Sequence, residues 1–241
     1  MKKLYEKNEL LFTVVIAVIN LLIYLIGQEL SWLIGIKWIA TAFIGIIEVV
    51  TVYLWIAKNG LQEKYGLCRV DEDLNKYLYF FPLVILISIN LWWGIRINYC
   101  FSETVLFIVV QMVIGFMEEI IYRGFLYKAL CKYDKSIAFL LSSSIFGGIH
   151  IVHFLWGESM IVTVTQIFYA GFVGLLFCAV FCEGKSIWPC IITHGLINST
   201  GAFVNYNATK YRYMIGAIMM IMVSTGFVLY FLDRKDSHIL D

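Results

Sequence analysis

The sequence is dominated by apolar stretches that are about as long as a membrane is thick. A helix needs about 20 apolar residues to cross the hydrocarbon core of a bilayer, and eight stretches approach that length. Charged residues make up only 15% of the chain, against roughly 25% in a soluble domain. The sequence therefore predicts an all-α, polytopic membrane protein, a bundle of about eight transmembrane helices. Their predicted ranges are 10–26, 32–57, 77–94, 104–122, 136–156, 160–182, 187–204 and 213–232.

The basic residues divide unevenly between the two sides that eight spans would create. Cytoplasmic loops of membrane proteins carry an excess of Lys and Arg. Fourteen of the 18 basic residues fall on the amino-terminal side, and the other side has Lys37, Arg96, Lys210 and Arg212. The fourteen are Lys2, Lys3, Lys7, Lys58, Lys64, Arg69, Lys76, Arg123, Lys128, Lys132, Lys135, Lys185, Arg234 and Lys235. We therefore expect both termini in the cytoplasm, and one integral membrane domain over residues 1–241 without a soluble domain.

Polar side chains occur inside three of the predicted spans. They are Glu118 and Glu119, then His150, then His194 with Asn198. An ionisable group at membrane depth costs about 3 kcal/mol on translocon scales, so it usually serves a function and faces the protein interior. Glu, His and Asn are side chains that can activate water and stabilise charge. Together they favour an intramembrane hydrolase.

The helical spacing gives the two glutamates different surroundings. Glu118 shares one face with Gln111, Gly115 and Tyr122, so this small and polar stripe should face a cavity. Glu119 is turned by about 100° and lies four residues before Arg123, the favourable order for a helical ion pair. Capping or pairing near a helix end is the alternative interpretation for both carboxylates.

The histidines also have a structural interpretation. His150 follows Phe146 by one turn, and a single histidine on an apolar helix is more often a hydrogen-bonded core residue than a catalyst. His194 and Asn198 share one helix face, which favours a site, although such residues also hydrogen-bond between membrane helices simply to hold them together.

Three motifs in chain order resemble those of a known family. Residues 118–123 fit EExxxR, 146–150 fit FxxxH and 194–198 fit HxxxN. This pattern resembles the CPBP family of CAAX proteases and bacteriocin-processing enzymes, which includes the type II CAAX prenyl endopeptidase. The resemblance implies an eight-helix intramembrane endopeptidase with its catalytic groups around a water molecule, in a cavity open to the cytoplasmic side. We therefore expect a protein that acts on a membrane-tethered peptide or protein within the lipid bilayer and that binds no nucleic acid. The compactness of the chain favours a bacterial plasma-membrane protein.

The chemistry of peptide hydrolysis assigns a role to each residue. It needs a base for water, donors for the oxyanion and an acid for the leaving amine. Glu118 is predicted as base and then acid, His150 as the residue that holds the water, and His194 and Asn198 as oxyanion donors. Glu119 and Arg123 would support them. We expect no cofactor, and the alternative is a zinc site with Glu118, His150 and His194 as ligands.

Two other classes of protein remain open. A non-proteolytic membrane protein of the same fold could act in bacteriocin immunity or as a scaffold for a partner, although a scaffold has no need of four costly intramembrane polar groups. A transporter could use Glu118 and the histidines as a proton relay. Against a transporter, the sequence has no inverted repeat and no matching pair of Gly/Pro-broken helices.

Overall fold

The described part of the protein is helical, as expected. The computed structural model describes residues 1–70, 76–205 and 210–233, and in these ranges the only β pairing is an isolated bridge between Ile95 and Val204. The α-helices are α1 (Lys2–Lys7), α2 (Glu9–Ile34), α3 (Ile39–Lys58), α4 (Lys76–Ile89), α5 (Phe101–Glu119), α6 (Tyr127–Leu130), α7 (Lys135–Gly148), α8 (Val152–Leu155), α9 (Met160–Gly184), α10 (Trp188–Ser199) and α11 (Lys210–Asp233). A π-helix, Ile120–Leu126, joins α5 to α6, and 3-10 turns Ile149–Ile151 and Thr200–Phe203 follow α7 and α10. The all-α membrane class is confirmed.

All eight predicted segments contain a helix, but the helices differ in length. Within the described residues, six helical stretches are long and apolar enough to cross a membrane. The other two are α4, with 14 residues, and α10, with 12. Both nevertheless run between the same two ends of the bundle as the longer helices. Tyr79 in α4 donates a hydrogen bond to Val180 O near the end of α9, and Asn90, just after α4, donates to Ile197 O near the end of α10.

The predicted break between the first two helices is misplaced. The prediction ended one helix at residue 26 and began the next at 32, whereas α2 continues to Ile34 and α3 starts at Ile39. Ser31, which lies between the two predicted ranges, is part of α2, and its hydroxyl donates to Gly27 O. The helix ends instead at Gly35, whose φ of 80° is the left-handed conformation that glycine adopts at many helix ends. The polar residues there bind helices together and do not interrupt them.

Contacts between loops define two ends of the bundle. At one end, Glu9 pairs with Lys64 at 2.7 Å and with Lys132 at 3.1 Å, and Ser186 donates to Cys68 O. At the opposite end, Lys37 pairs with Glu103 at 3.5 Å, and the Arg96 amide donates to Phe203 O. The basic residues in these contacts lie at the two ends to which the sequence analysis assigned them. Arg234 and Lys235 lie outside the described residues. Which end faces the cytoplasm stays a prediction.

Candidate active site

A cavity of about 680 Å³ opens between α2, α3, α5, α7, α9 and α10. The four side chains predicted as catalytic all line it. They are Glu118, His150, His194 and Asn198. Most of the remaining lining is aliphatic and aromatic, which suits a pocket with a few placed polar groups. The structure therefore brings the three sequence motifs to one place.

Glu119 is buried in the protein and does not line the cavity. Its Oε1 accepts a hydrogen bond from Arg123 Nη1 at 3.0 Å, and its side chain and that of Arg123 are both fully buried. The same oxygen lies 2.7 Å from His194 Nδ1. The Arg123 guanidinium also lies 4.0 Å from the centre of the Phe146 ring, within range of a cation–π interaction. The predicted pairing of Glu119 with Arg123 is present, and Glu119 also orients a histidine of another motif.

His194 lies between the two carboxylates of the first motif. Nδ1 faces the Glu119 carboxylate, which can only accept, so Nδ1 carries a proton and donates it. Nε2 lies 3.5 Å from Glu118 Oε2. The ring is thus held at one edge by a buried carboxylate and presents its other nitrogen beside the carboxylate that reaches the cavity.

His150 is held by its own helix. Its Nδ1 lies 2.9 Å from Phe146 O, and because a carbonyl oxygen only accepts, the proton of the neutral ring is on Nδ1. Nε2 then carries a lone pair that can accept a hydrogen bond. Phe146 also stands edge-on to both rings, with centroids 5.3 Å from His150 and 5.7 Å from His194. Phe146 of the second motif therefore fixes the position of His150 through its carbonyl oxygen and its ring.

Each motif lies where its helix departs from α geometry. The π-helix begins at Ile120, directly after Glu119, and the 3-10 turn Ile149–Ile151 contains His150. A second 3-10 turn begins at Thr200, two residues after Asn198. π and 3-10 segments inside helices are frequent at functional sites because they change the direction in which the following side chains point. Here one such segment lies within or directly beside each of the three motifs.

Glycines allow the helices that carry the site to approach closely. A Cβ on Gly115 of α5 would lie 2.7 Å from the amide nitrogen of Gly195 of α10, and one on Gly147 of α7 would lie 2.9 Å from Gly171 Cα of α9. Small residues at such crossings let the backbones of membrane helices touch. Gly195 directly follows His194, so this contact sets the separation between the first and third motifs.

The described residues contain no ready-made cluster of metal ligands. In residues 1–70, 76–205 and 210–233, no group of three or more His, Cys, Asp or Glu side chains is arranged so that it could hold a metal ion. Nδ1 of His150 and Nδ1 of His194 each face an acceptor, the arrangement that also orients zinc-binding histidines, so these contacts by themselves do not decide between water and a metal at Nε2. The absence of a metal therefore stays a prediction, with the zinc site of Glu118, His150 and His194 as its alternative.

One carboxylate of the cavity was not predicted from the sequence. Glu48 of α3 is 8% exposed, lines the cavity and accepts a hydrogen bond from Asn20 Nδ2 of α2 at 3.1 Å. The signal was the same one that identified Glu118, a carboxylate inside an apolar stretch. It was missed because Glu48 has no second polar residue beside it to form a motif.

The family model that matches the chain is that of the type II CAAX prenyl endopeptidase, Rce1-like, over residues 100–200. This segment, which is less than half of the chain, resembles the CPBP family of CAAX proteases. The match contains all three motifs, so the family resemblance is confirmed, and with it an intramembrane protease class. The helices α1 to α4, including Glu48, precede the matched part. Neither the curated proteins nor the solved structures gave a match.

Proposed function

We propose that this CAAX protease relative is a metal-free endopeptidase that hydrolyses a peptide bond in a membrane-associated peptide or protein. The observation that carries the proposal is the convergence of Glu118, His150, His194 and Asn198 on one cavity inside the bundle. The proposed reaction uses one water molecule and one carboxylate. Both termini, by the distribution of basic residues, face the cytoplasm of a bacterial cell.

Glu118 and His150 act on the water. The protonated Nδ1 of His150 leaves Nε2 free to accept one hydrogen of the water, which fixes the water in the cavity. Glu118 removes the other hydrogen as the water oxygen attacks the carbonyl carbon of the substrate. Glu118 later donates this proton to the leaving nitrogen, and the C–N bond breaks. Proton and electron pair are both accounted for without a cofactor.

His194 and Asn198 stabilise the oxyanion. Because Nδ1 of His194 donates to Glu119, its Nε2 can donate as well only when the ring is an imidazolium. That charge state makes the buried cluster neutral, since Glu118 and Glu119 carry two negative charges and Arg123 and His194 two positive ones. The Asn198 amide, one helical turn further along α10, supplies a second donor. Glu119 and Arg123 are positioning residues, which hold the imidazole without touching the substrate.

Single substitutions in purified protein test the proposal. Glu118→Gln keeps the volume of the side chain and removes the base, so cleavage of a lipid-anchored peptide should fall by more than about 100-fold. Asn198→Ala should cost roughly 3–4 kcal/mol of transition-state stabilisation, the usual cost of one oxyanion donor. Asn198→Asp keeps the shape but faces the oxyanion with a carboxylate, so it should be the more damaging of the two.

Three results would contradict the proposal. Retained turnover in Glu118→Gln would exclude this residue as the base. Solute uptake by the wild type that is lost in Glu118→Gln, without cleavage of any peptide, would indicate a proton-coupled transporter. An unchanged biological phenotype in the Glu118→Gln variant would point to the immunity or scaffold role.

A further inference from the structure

Glu48 is a carboxylate in the cavity that the proposed reaction does not use. It lies on α3 with Asn20 of α2 as its hydrogen-bond partner, and no basic side chain of the described residues forms an ion pair with it. The contact is not needed to join α2 to α3. These helices are already joined by Ser31, whose hydroxyl accepts from the amides of Ala40 and Thr41.

Glu48 lies at nearly the same depth as Glu118. The helices α3 and α5 run side by side in the same direction, since Lys37 contacts Glu103, Trp38 contacts Phe107, and a Cβ on Gly45 would touch Val113. A residue of α3 and the residue of α5 at the same depth therefore differ by 66 to 69 in their residue numbers. On this register Glu48 is level with Phe116, about two residues or 3 Å from Glu118 along the axis.

No cationic side chain that lines the cavity forms an ion pair with Glu48. The lining contains two carboxylates, Glu48 and Glu118, but no Lys or Arg. Arg123, which belongs to the same motif as Glu118, is fully buried behind the cavity and is paired with Glu119. A carboxylate in apolar surroundings is stabilised by an opposite charge. The one cation that the proposed mechanism places in the cavity, the His194 imidazolium, lies between Glu118 and Glu119, so a charge that pairs with Glu48 has to come from a ligand.

We propose that Glu48 is a specificity-determining residue that binds a basic side chain, Lys or Arg, of the substrate peptide. This inference rests on the proposed endopeptidase function. The axes of packed helices lie about 8–10 Å apart, and an extended peptide advances about 3.3 Å per residue. The basic residue therefore lies within about three positions of the cleaved bond. Asn20 orients the carboxylate by donating to one of its oxygens.

Matched peptides and a matched variant test the assignment. The probe is a set of lipid-anchored, fluorogenic peptides in which Lys, Gln or Glu occupies each of the three positions on either side of the cleaved bond in turn. At one position the wild type should cleave the Lys peptide with a kcat/KM at least about tenfold above that of the Gln peptide, given the coupling energies of close charge pairs. Glu48→Gln should lose this preference while still cleaving the Gln peptide. The control is Glu158→Gln, which makes the same change in an exposed loop and should keep the preference.

A binding measurement separates this inference from the proposed function. In the Glu118→Gln background, the Lys peptide should raise the melting temperature more than the Gln peptide does, and adding Glu48→Gln should remove the difference. If peptides bind in this way but the wild type cleaves none, the endopeptidase proposal fails and the binding role of Glu48 stands. If the wild type cleaves without a preference for Lys, or Glu48→Gln lowers cleavage of both peptides equally, the role assigned to Glu48 is wrong and the endopeptidase stands.

Discussion

Gly115→Ala is the substitution that most directly tests whether helix separation sets the geometry of the site. The added Cβ would lie 2.7 Å from the amide nitrogen of Gly195, 2.9 Å from its Cα and 3.1 Å from Ile191 O. All three are backbone atoms, so no side chain can rotate away. Ordinary contact begins at 3.4 Å, and α5 and α10 must therefore separate by about 0.7 Å, since interiors are close-packed.

The separation acts on the contact between the first and third motifs. The distance from Glu119 Oε1 to His194 Nδ1 would grow from 2.7 Å to about 3.4 Å, beyond the range of a good hydrogen bond. A displacement of about 1 Å at a catalytic group can cost about 100-fold in rate. Overpacking of this kind destabilises by about 1–3 kcal/mol. We expect kcat to fall by tenfold to about 100-fold in a protein that still folds.

The assay is kcat for a lipid-anchored peptide at saturating concentration, together with the melting temperature in the same detergent. Gly226→Ala is the control, because its Cβ would meet nothing within 4 Å in α11. It should leave kcat unchanged and should leave stability equal or slightly higher, since Ala favours helix by up to about 1 kcal/mol. A Gly115→Ala enzyme with the kcat of the wild type would refute the claim that this crossing positions His194.

Three other properties of the molecule can be tested: its buried ion pair, its metal content and its orientation. Glu119→Gln leaves a buried guanidinium without its counter-charge and should lower the free energy of unfolding, measured by SDS titration, by about 3–5 kcal/mol. The control is Glu6→Gln, which breaks an exposed pair of the same spacing and should lower it by less than about 1 kcal/mol. Enzyme stripped with a chelator and shown by elemental analysis to be free of zinc should keep its turnover, and stoichiometric zinc whose removal and return switch cleavage off and on would contradict the metal-free mechanism. In a Cys100→Ser background, an impermeant thiol reagent should label Glu158→Cys in intact cells but Tyr133→Cys only after permeabilisation, and the reverse pattern would invert the orientation.

Much of the candidate site could be predicted because its residues are polar side chains inside apolar stretches of the sequence. The pairing of Glu119 with Arg123 follows from helical spacing alone, and the structure places it as expected. The contact from Glu119 to His194 could not be predicted, because it joins residues 75 positions apart and depends on how α5 crosses α10. Glu48 had the same signal as Glu118, but only the register of α3 against α5 brings it to the cavity.

The prediction of the fold succeeded where hydropathy decides and failed where backbone conformation decides. Ranges rich in apolar residues are helical in the described parts of the chain. The end of α2 depends on the left-handed conformation of Gly35, and the π-helix after Glu119 depends on packing around it. Neither the helix end nor the π-helix changes the hydropathy of the sequence, so a pattern of apolar residues cannot predict them.

The shortness of α4 and α10 has a consequence for the surrounding lipid. At 1.5 Å per residue α4 is about 21 Å long, and α10 with its 3-10 extension about 26 Å, against a hydrocarbon thickness of about 30 Å. Trp188, Ile192 and Leu196 of α10 face outward. Acyl chains along this flank must shorten or tilt to match, at a fraction of a kcal/mol per ångström. We expect short-chain lipids to gather there, and a peptide resting among their headgroups to lie several ångströms deeper than elsewhere on the membrane.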